Sequence, residues 1–199
     1  MAKLTRVRKS AYHLTEPIVP LLVKTHITPT ALTWVGFSIA IGGAILIASG
    51  HPFIAGFVVL TAGFFDMLDG ALARHTNQVS RFGAVLDSTL DRISEAVLLL
   101  GILIFYLFFG NQSAIGILLV CLALIGAPLV SYIRARAEAI GLECKIGLFT
   151  RAERVIVLAI GLLLSHIGYA LIIALAIIAA FSFVTAGQRL FYVLKQTQK

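Results

Sequence analysis

The sequence predicts an all-α integral membrane protein, with six transmembrane helices preceded by an N-terminal amphipathic juxtamembrane helix. Three observations carry this. Of 199 residues, 59% are hydrophobic and only 13% are charged, whereas a soluble domain has about a quarter of its residues charged. The mean hydropathy is +0.99. Long apolar stretches alternate with short polar or Gly/Pro breaks, and only every second break is basic.

Residues 1–27 mix apolar and basic positions. Leu4, Val7, Ala11, Leu14, Ile18 and Leu22 recur every three or four residues, the period of a helix lying with one face in the membrane interface. Thr28-Pro29 is a helix-start signal and opens the first span, 29–49. Gly50-His51-Pro52 ends it. The second span covers 53–76. The third runs from Ser80 to Phe109, with a turn at Gly110-Asn111-Gln112. The fourth covers 113–140 and stops at Gly141. The fifth covers 150–165, and a turn at 165–168 leads into the sixth, 169–195. A spanning helix needs about 20 residues. Spans three and four are longer, so their basic ends should project into the cytosol. No linker, low-complexity segment or internal repeat interrupts the chain. It is therefore read as one domain over 1–199, with a six-helix bundle over 29–195.

Lys and Arg fall in 3–9, at Lys24, in 74–92, in 134–154 and in 189–199. None lies in the turns near Gly50, Gly110 or Ser165. This is the positive-inside pattern. It predicts a multi-pass protein of the cell membrane with both termini cytoplasmic. The same distribution turns the net charge of +7 away from nucleic acid and toward an anionic lipid leaflet. No apolar stretch with a cleavage site follows the basic start, so no signal peptide is expected. Cys121 and Cys144 have neither metal-site spacing nor a disulfide framework.

The sharpest feature is the segment DMLDGALARHTNQVSRFGAVLDSTLD, residues 66–91. Four carboxylates sit inside membrane-like sequence, where ionisable groups are expensive and mark function. Asp66 and Asp69 are three apart, and Asp87 and Asp91 are four apart. Each pair therefore shares one helix face. The polar turn 75–78 joins the two spans, so all four can converge at the cytosolic end. Alone they would repel one another. Divalent cations relieve this, and all-oxygen ligands without His or Cys favour Mg²⁺ or Mn²⁺ over zinc. Gly70 and Gly83 permit close approach of backbone or ligand, and Arg74 is placed to contact a phosphate.

The pattern D-x2-D-G-x2-A-R-x8-G-x3-D-x3-D resembles the signature of the CDP-alcohol phosphotransferase family at every defined position, and the helix count agrees over the whole chain. The resemblance implies transfer of a substituted phosphate from a CDP-linked lipid to an alcohol, with release of CMP. It implies that Asp66, Asp69 and Asp87 hold two divalent ions and that Asp91 is the base. It further implies that Gly70, Ala73, Arg74, Ser80 and Gly83 receive the cytidine diphosphate, and that the protein is a homodimer. Elementary chemistry supports these roles. Two metals neutralise a diphosphate and stabilise attacking and leaving oxygens, and a carboxylate off the metals can take the hydroxyl proton.

A second motif concerns the acceptor. SYIRARAEAIGLECKIGLFTRAERV, residues 131–155, is rich in arginine, and Arg189 stands in the apolar final span. Guanidinium suits bidentate phosphate binding. These stretches resemble the phosphatidylinositol phosphate synthase branch of the family and its archaeal ether-lipid counterpart. That branch shows S-Y-I-K-A-R-A-E, then E-R-P-E-R, then Q-R. The resemblance implies that Arg134, Arg154 and Arg189 bind the phosphate of an inositol phosphate acceptor, with CDP-diacylglycerol or an ether analogue as donor. Arg134 stands where the branch has lysine, and Thr150 and Ala152 replace Glu and Pro. Glycerol 3-phosphate is the rival acceptor, as in a phosphatidylglycerophosphate synthase. Enzymes of that kind tend to show K-x-K-T where this chain has Arg134-Ala135-Arg136-Ala137. A cation transporter is a reading of another class. It would need acidic residues toward the bilayer midplane, and here they stay at one end.

Overall fold

A computed structural model describes residues 18–25, 27–110, 112–144 and 146–198. The described residues are helical, with no strand among them. Helix α1 is Val19–Lys24, α2 Pro29–Ala48, α3 Pro52–His75, α4 Arg81–Phe108, α5 Ala114–Ala139, α6 Arg151–Leu163 and α7 Ala170–Thr197. The interfacial helix expected over 1–27 falls largely outside the described residues. Within that range the described residues hold the six-residue α1, whose Val19 packs with Leu32, Leu68 and Leu72.

The starts follow local chemistry. Thr28 accepts a hydrogen bond from the Ala31 amide ahead of Pro29. Ser80 accepts from the Gly83 amide at 2.9 Å, and Ser113 from the Gly116 amide at 3.2 Å. Thr150 and Glu153 form a reciprocal capping box on α6. Each device satisfies amides that a helix start leaves unpaired. These caps mark the starts of α2, α4, α5 and α6, whereas α3 and α7 begin after His51 and Tyr169 with no side-chain cap.

The six helices α2–α7 follow the six apolar stretches in order. Four of them, α2, α3, α5 and α7, are long and apolar enough to cross a membrane. The other two differ for physical reasons. α4 has 28 residues but carries Asp91, Arg92 and Glu95 along its length. α6 has 13 residues, roughly 20 Å at helical rise, and gives way to turns at 164–169.

α2 packs on α3 and α4, α3 on α6, α6 on α7, α7 on α5, and α5 on α4. The core between them includes Ile47, Val59, Leu99, Ile102, Leu162 and Leu175. A Cβ on Gly101 would lie 2.6 Å from the Ala44 carbonyl oxygen, so only glycine lets α4 approach the α2 backbone this closely. The outward faces are apolar as well. Phe57, Leu118, Ile125, Ile173 and Val184 are all exposed. Helices apolar inside and outside suit a lipid surround rather than water.

Candidate active site

α3 and α4 are consecutive helices joined by a short turn over residues 76–80. Asn77 takes a positive φ of 54° there, a conformation asparagine tolerates, and the Gln78 amide bonds back to the Ala73 carbonyl. The turn sets the end of α3 beside the start of α4. One carboxylate oxygen from each of Asp66, Asp69 and Asp87 then lies within 4.8 Å of the others. The expected convergence is thus present for three of the four aspartates. The fourth, Asp91, lies one turn further along α4 and is tied to Asp66 by an arginine.

That arginine is Arg151, the first residue of α6. Its Nη1 is 2.6 Å from Asp66 Oδ2 and its Nη2 is 2.9 Å from Asp91 Oδ1. Asp69 is 5% exposed, and its Oδ2 is buried with no hydrogen-bond partner. A buried carboxylate with an unsatisfied oxygen, grouped with two further carboxylates, is costly unless a cation joins them. The donors are hard oxygens, and no His or Cys belongs to the group. The set fits Mg²⁺ or Mn²⁺.

A cavity of about 550 Å³ opens beside the cluster. Gly70, Ala73, Arg74, Ser80 and Gly83, the five positions expected to receive a nucleotide diphosphate, all line it, together with Asp69 and Asp87. Its far wall is Thr28, Pro29, Thr30 and Thr33 at the start of α2. A Cβ on Gly83 would meet the Ser80 hydroxyl at 2.8 Å, so glycine is needed there for the cap that shapes this wall. A second, inner cavity of about 40 Å³ lies deeper in the bundle. Asp66, Asp69, Asp91, Glu95, Arg151 and Arg154 line it, with apolar residues below. Asp69 borders both spaces.

The three arginines read as a phosphate site each have a different local partner. Arg134 is half exposed and pairs with Glu138 at 2.8 Å. Arg154 is 2% exposed and grips Glu95 with Nε at 2.5 Å and Nη2 at 2.8 Å. Its Nη1 is buried and unpartnered. Arg189 donates from Nε to the Ile146 carbonyl at 2.9 Å and from Nη1 to the Val130 carbonyl. It thereby ties α7 to α5 and to the segment before α6.

Two residues given no site role by the sequence reading enter here, Arg151 and Glu95. A signal existed for each. Arg151 is a cation in the first turn of a helix, the end where the helix dipole disfavours positive charge. Glu95 is a carboxylate one turn beyond Asp91 on an otherwise apolar face.

Known proteins resemble this chain over most of its length. Residues 26–186 match the CDP-alcohol phosphatidyltransferase family. The phosphatidylinositol phosphate synthase of Corynebacterium glutamicum is 38% identical over 188 residues, covering 92% of this chain and 85% of that protein. The archaetidylinositol phosphate synthase of Methanothermobacter thermautotrophicus is 35% identical over 178 residues, covering 88% of each. The Mycobacterium tuberculosis phosphatidylinositol phosphate synthase, crystallised with CDP-DAG bound, has a TM-score of 0.83 at 35% identity and covers 91% of this chain and 94% of its own. The same enzyme in complex with manganese and citrate also gives 0.83, covering 90% and 88%.

Proposed function

The chain belongs to the CDP-alcohol phosphatidyltransferase family, and from that premise we propose that it transfers the phosphatidyl group of CDP-diacylglycerol, or of an ether-lipid analogue, to inositol phosphate. The products are a phosphatidylinositol phosphate and CMP. The observation that carries this reading is the meeting of two features at Asp69. The cavity lined by the expected nucleotide-binding positions shares that residue, and Asp87 as well, with the carboxylate cluster. The relatives' names supply the acceptor.

In this reading Asp66, Asp69 and Asp87 hold divalent Mg²⁺ or Mn²⁺, two ions by the family resemblance. Such ions, when bound, neutralise diphosphate charge and polarise the phosphoryl oxygens. Gly70, Ala73, Ser80 and Gly83 leave room for the cytidine diphosphate, and Arg74 contributes a charge-assisted contact to it. Asp91 takes the proton from the acceptor hydroxyl. The hydroxyl oxygen bonds to the lipid-proximal phosphorus, and the bond from that phosphorus to the CMP oxygen breaks. CMP departs with the electron pair. Arg134, Arg154 and Arg189 hold the acceptor's phosphate, and Glu95 fixes the orientation of Arg154. The buried Nη1 of Arg154 is the donor left over for that purpose.

The same reading makes the protein a six-span, single-domain homodimer in the cell membrane, preceded by an interfacial helix, with termini and aspartates on the cytoplasmic side. The alternation of basic and bare breaks supports the orientation, and the family resemblance supports the dimer. CMP release by purified protein with Mn²⁺ and CDP-diacylglycerol tests the function, with inositol phosphate, glycerol 3-phosphate, free inositol and serine compared as acceptors. Turnover with inositol phosphate well above the others is expected. Preference for glycerol 3-phosphate would make the chain a phosphatidylglycerophosphate synthase. Metal flux in liposomes without any nucleotide lipid would point to a transporter.

A further inference from the structure

Arg151 stands in an unfavourable place and is held there. It is the first residue of α6, fixed by the Thr150–Glu153 capping box, and a cation at a helix N-terminus opposes the helix dipole. Only the carboxylates it faces compensate. Its two terminal nitrogens are divided between Asp66 and Asp91, 2.6 and 2.9 Å away, and Glu95 lines the same inner cavity as Arg151. Its Nε is buried without a partner, so the guanidinium is aimed by these two ion pairs rather than by a full set of hydrogen bonds. Asp66 is at once a member of the three-carboxylate cluster and the closer of Arg151's two partners.

We propose that Arg151 is a resident cation of the carboxylate cluster that competes with the divalent ions. It bridges Asp66 and Asp91 when the cluster lacks metal, and it gives up Asp66 as the cluster loads. Asp91 remains its partner throughout, so Arg151 positions the base after the release. The two carboxylates are thereby kept compensated inside the bundle at every stage, which a buried unpaired charge would not allow. This inference rests on the metal-site reading above.

The test measures Mn²⁺ binding by electron paramagnetic resonance on the full-length protein in detergent, without donor or acceptor. Arg151→Gln removes the competing charge while keeping one hydrogen-bonding arm. Arg151→Lys keeps the charge but reaches one carboxylate at a time. The proposal expects Arg151→Gln to tighten Mn²⁺ binding by about tenfold or more, because a like charge beside the ions is gone, and expects the Lys variant to fall between it and the wild type. A purely structural arginine would alter thermal stability and leave Mn²⁺ affinity alone or weaken it, and that result would overturn the proposal. If Arg151→Gln does not fold, the Lys variant carries the same sign, and an affinity equal to wild type would overturn it. Asp69→Ala separates the two layers. Wild-type protein that binds Mn²⁺ no better than Asp69→Ala removes the metal-site reading itself, and this proposal with it. Wild-type binding that Asp69→Ala abolishes and Arg151→Gln leaves unchanged removes the Arg151 proposal alone.

Discussion

Replacing Asp91 by asparagine separates proton removal from every other part of the site. The change exchanges one carboxylate oxygen for an amide nitrogen at nearly constant volume. The amide oxygen can keep the contact that Oδ1 makes with Arg151 at 2.9 Å, so the local packing persists. Asp91 borders the inner cavity and does not line the larger cavity given to the nucleotide. Donor binding should therefore survive. What is lost is a group able to accept the hydroxyl proton, an effect of about 10²–10⁴-fold, or roughly 3–5 kcal/mol of transition-state stabilisation. The expected result is a fall of that size in kcat with the KM for CDP-diacylglycerol changed by no more than about twofold. The assay is CMP release in detergent micelles with saturating Mn²⁺ and inositol phosphate. A kcat loss of less than about tenfold would refute the assignment of Asp91 as base. So would a large rise in donor KM with kcat intact, because that pattern belongs to a binding residue.

Four further predictions rest on the same geometry. A chelator should abolish turnover, and added Mg²⁺ or Mn²⁺ should restore it. Asp69→Asn should raise the metal concentration needed for half activity, because Asp69 lines both cavities and one of its carboxylate oxygens has no protein partner. Arg74→Ala should raise the donor KM by about 10–100-fold, the worth of one charge-assisted hydrogen bond, with little effect on the KM for inositol phosphate. Glu95→Ala strands the Arg154 guanidinium in the core and should cost about 3–5 kcal/mol of stability, seen as a lower melting temperature. The double variant Glu95→Leu with Arg154→Met should recover most of that stability but not acceptor affinity, because it restores packing without restoring a phosphate donor.

The legible parts of this protein were those set by local pattern. Helix starts at Pro29, Arg81, Ala114 and Arg151 follow Ser or Thr caps that the sequence displays. The convergence of Asp66, Asp69 and Asp87 followed from helical spacing and one short turn. The grouping of Gly70, Ala73, Arg74, Ser80 and Gly83 came from the family resemblance, and all five line one cavity beside the turn. What could not be read was contact between distant segments. Arg151 is 85 residues from Asp66 in the chain, and Arg154 is 59 residues from Glu95. No periodicity reports which of two arginines three positions apart faces the aspartates. Arg189, expected only to bind a phosphate, also ties down two backbone carbonyls from α5 and the segment before α6. The turn expected at 165–168 is present, and α6 ends just before it at Leu163.

The central claim is that one cluster of aspartates moves a phosphatidyl group from a CDP-linked lipid to inositol phosphate. Product analysis tests it most directly. Purified protein is given Mn²⁺, CDP-diacylglycerol and equal concentrations of inositol phosphate and glycerol 3-phosphate, and the lipids and nucleotides are quantified by mass spectrometry. The account predicts phosphatidylinositol phosphate and CMP in equal amounts, with both absent from an Asp66→Asn, Asp69→Asn double variant. Phosphatidylglycerophosphate as the dominant lipid would contradict the acceptor. Unchanged product from the double variant would contradict the site itself.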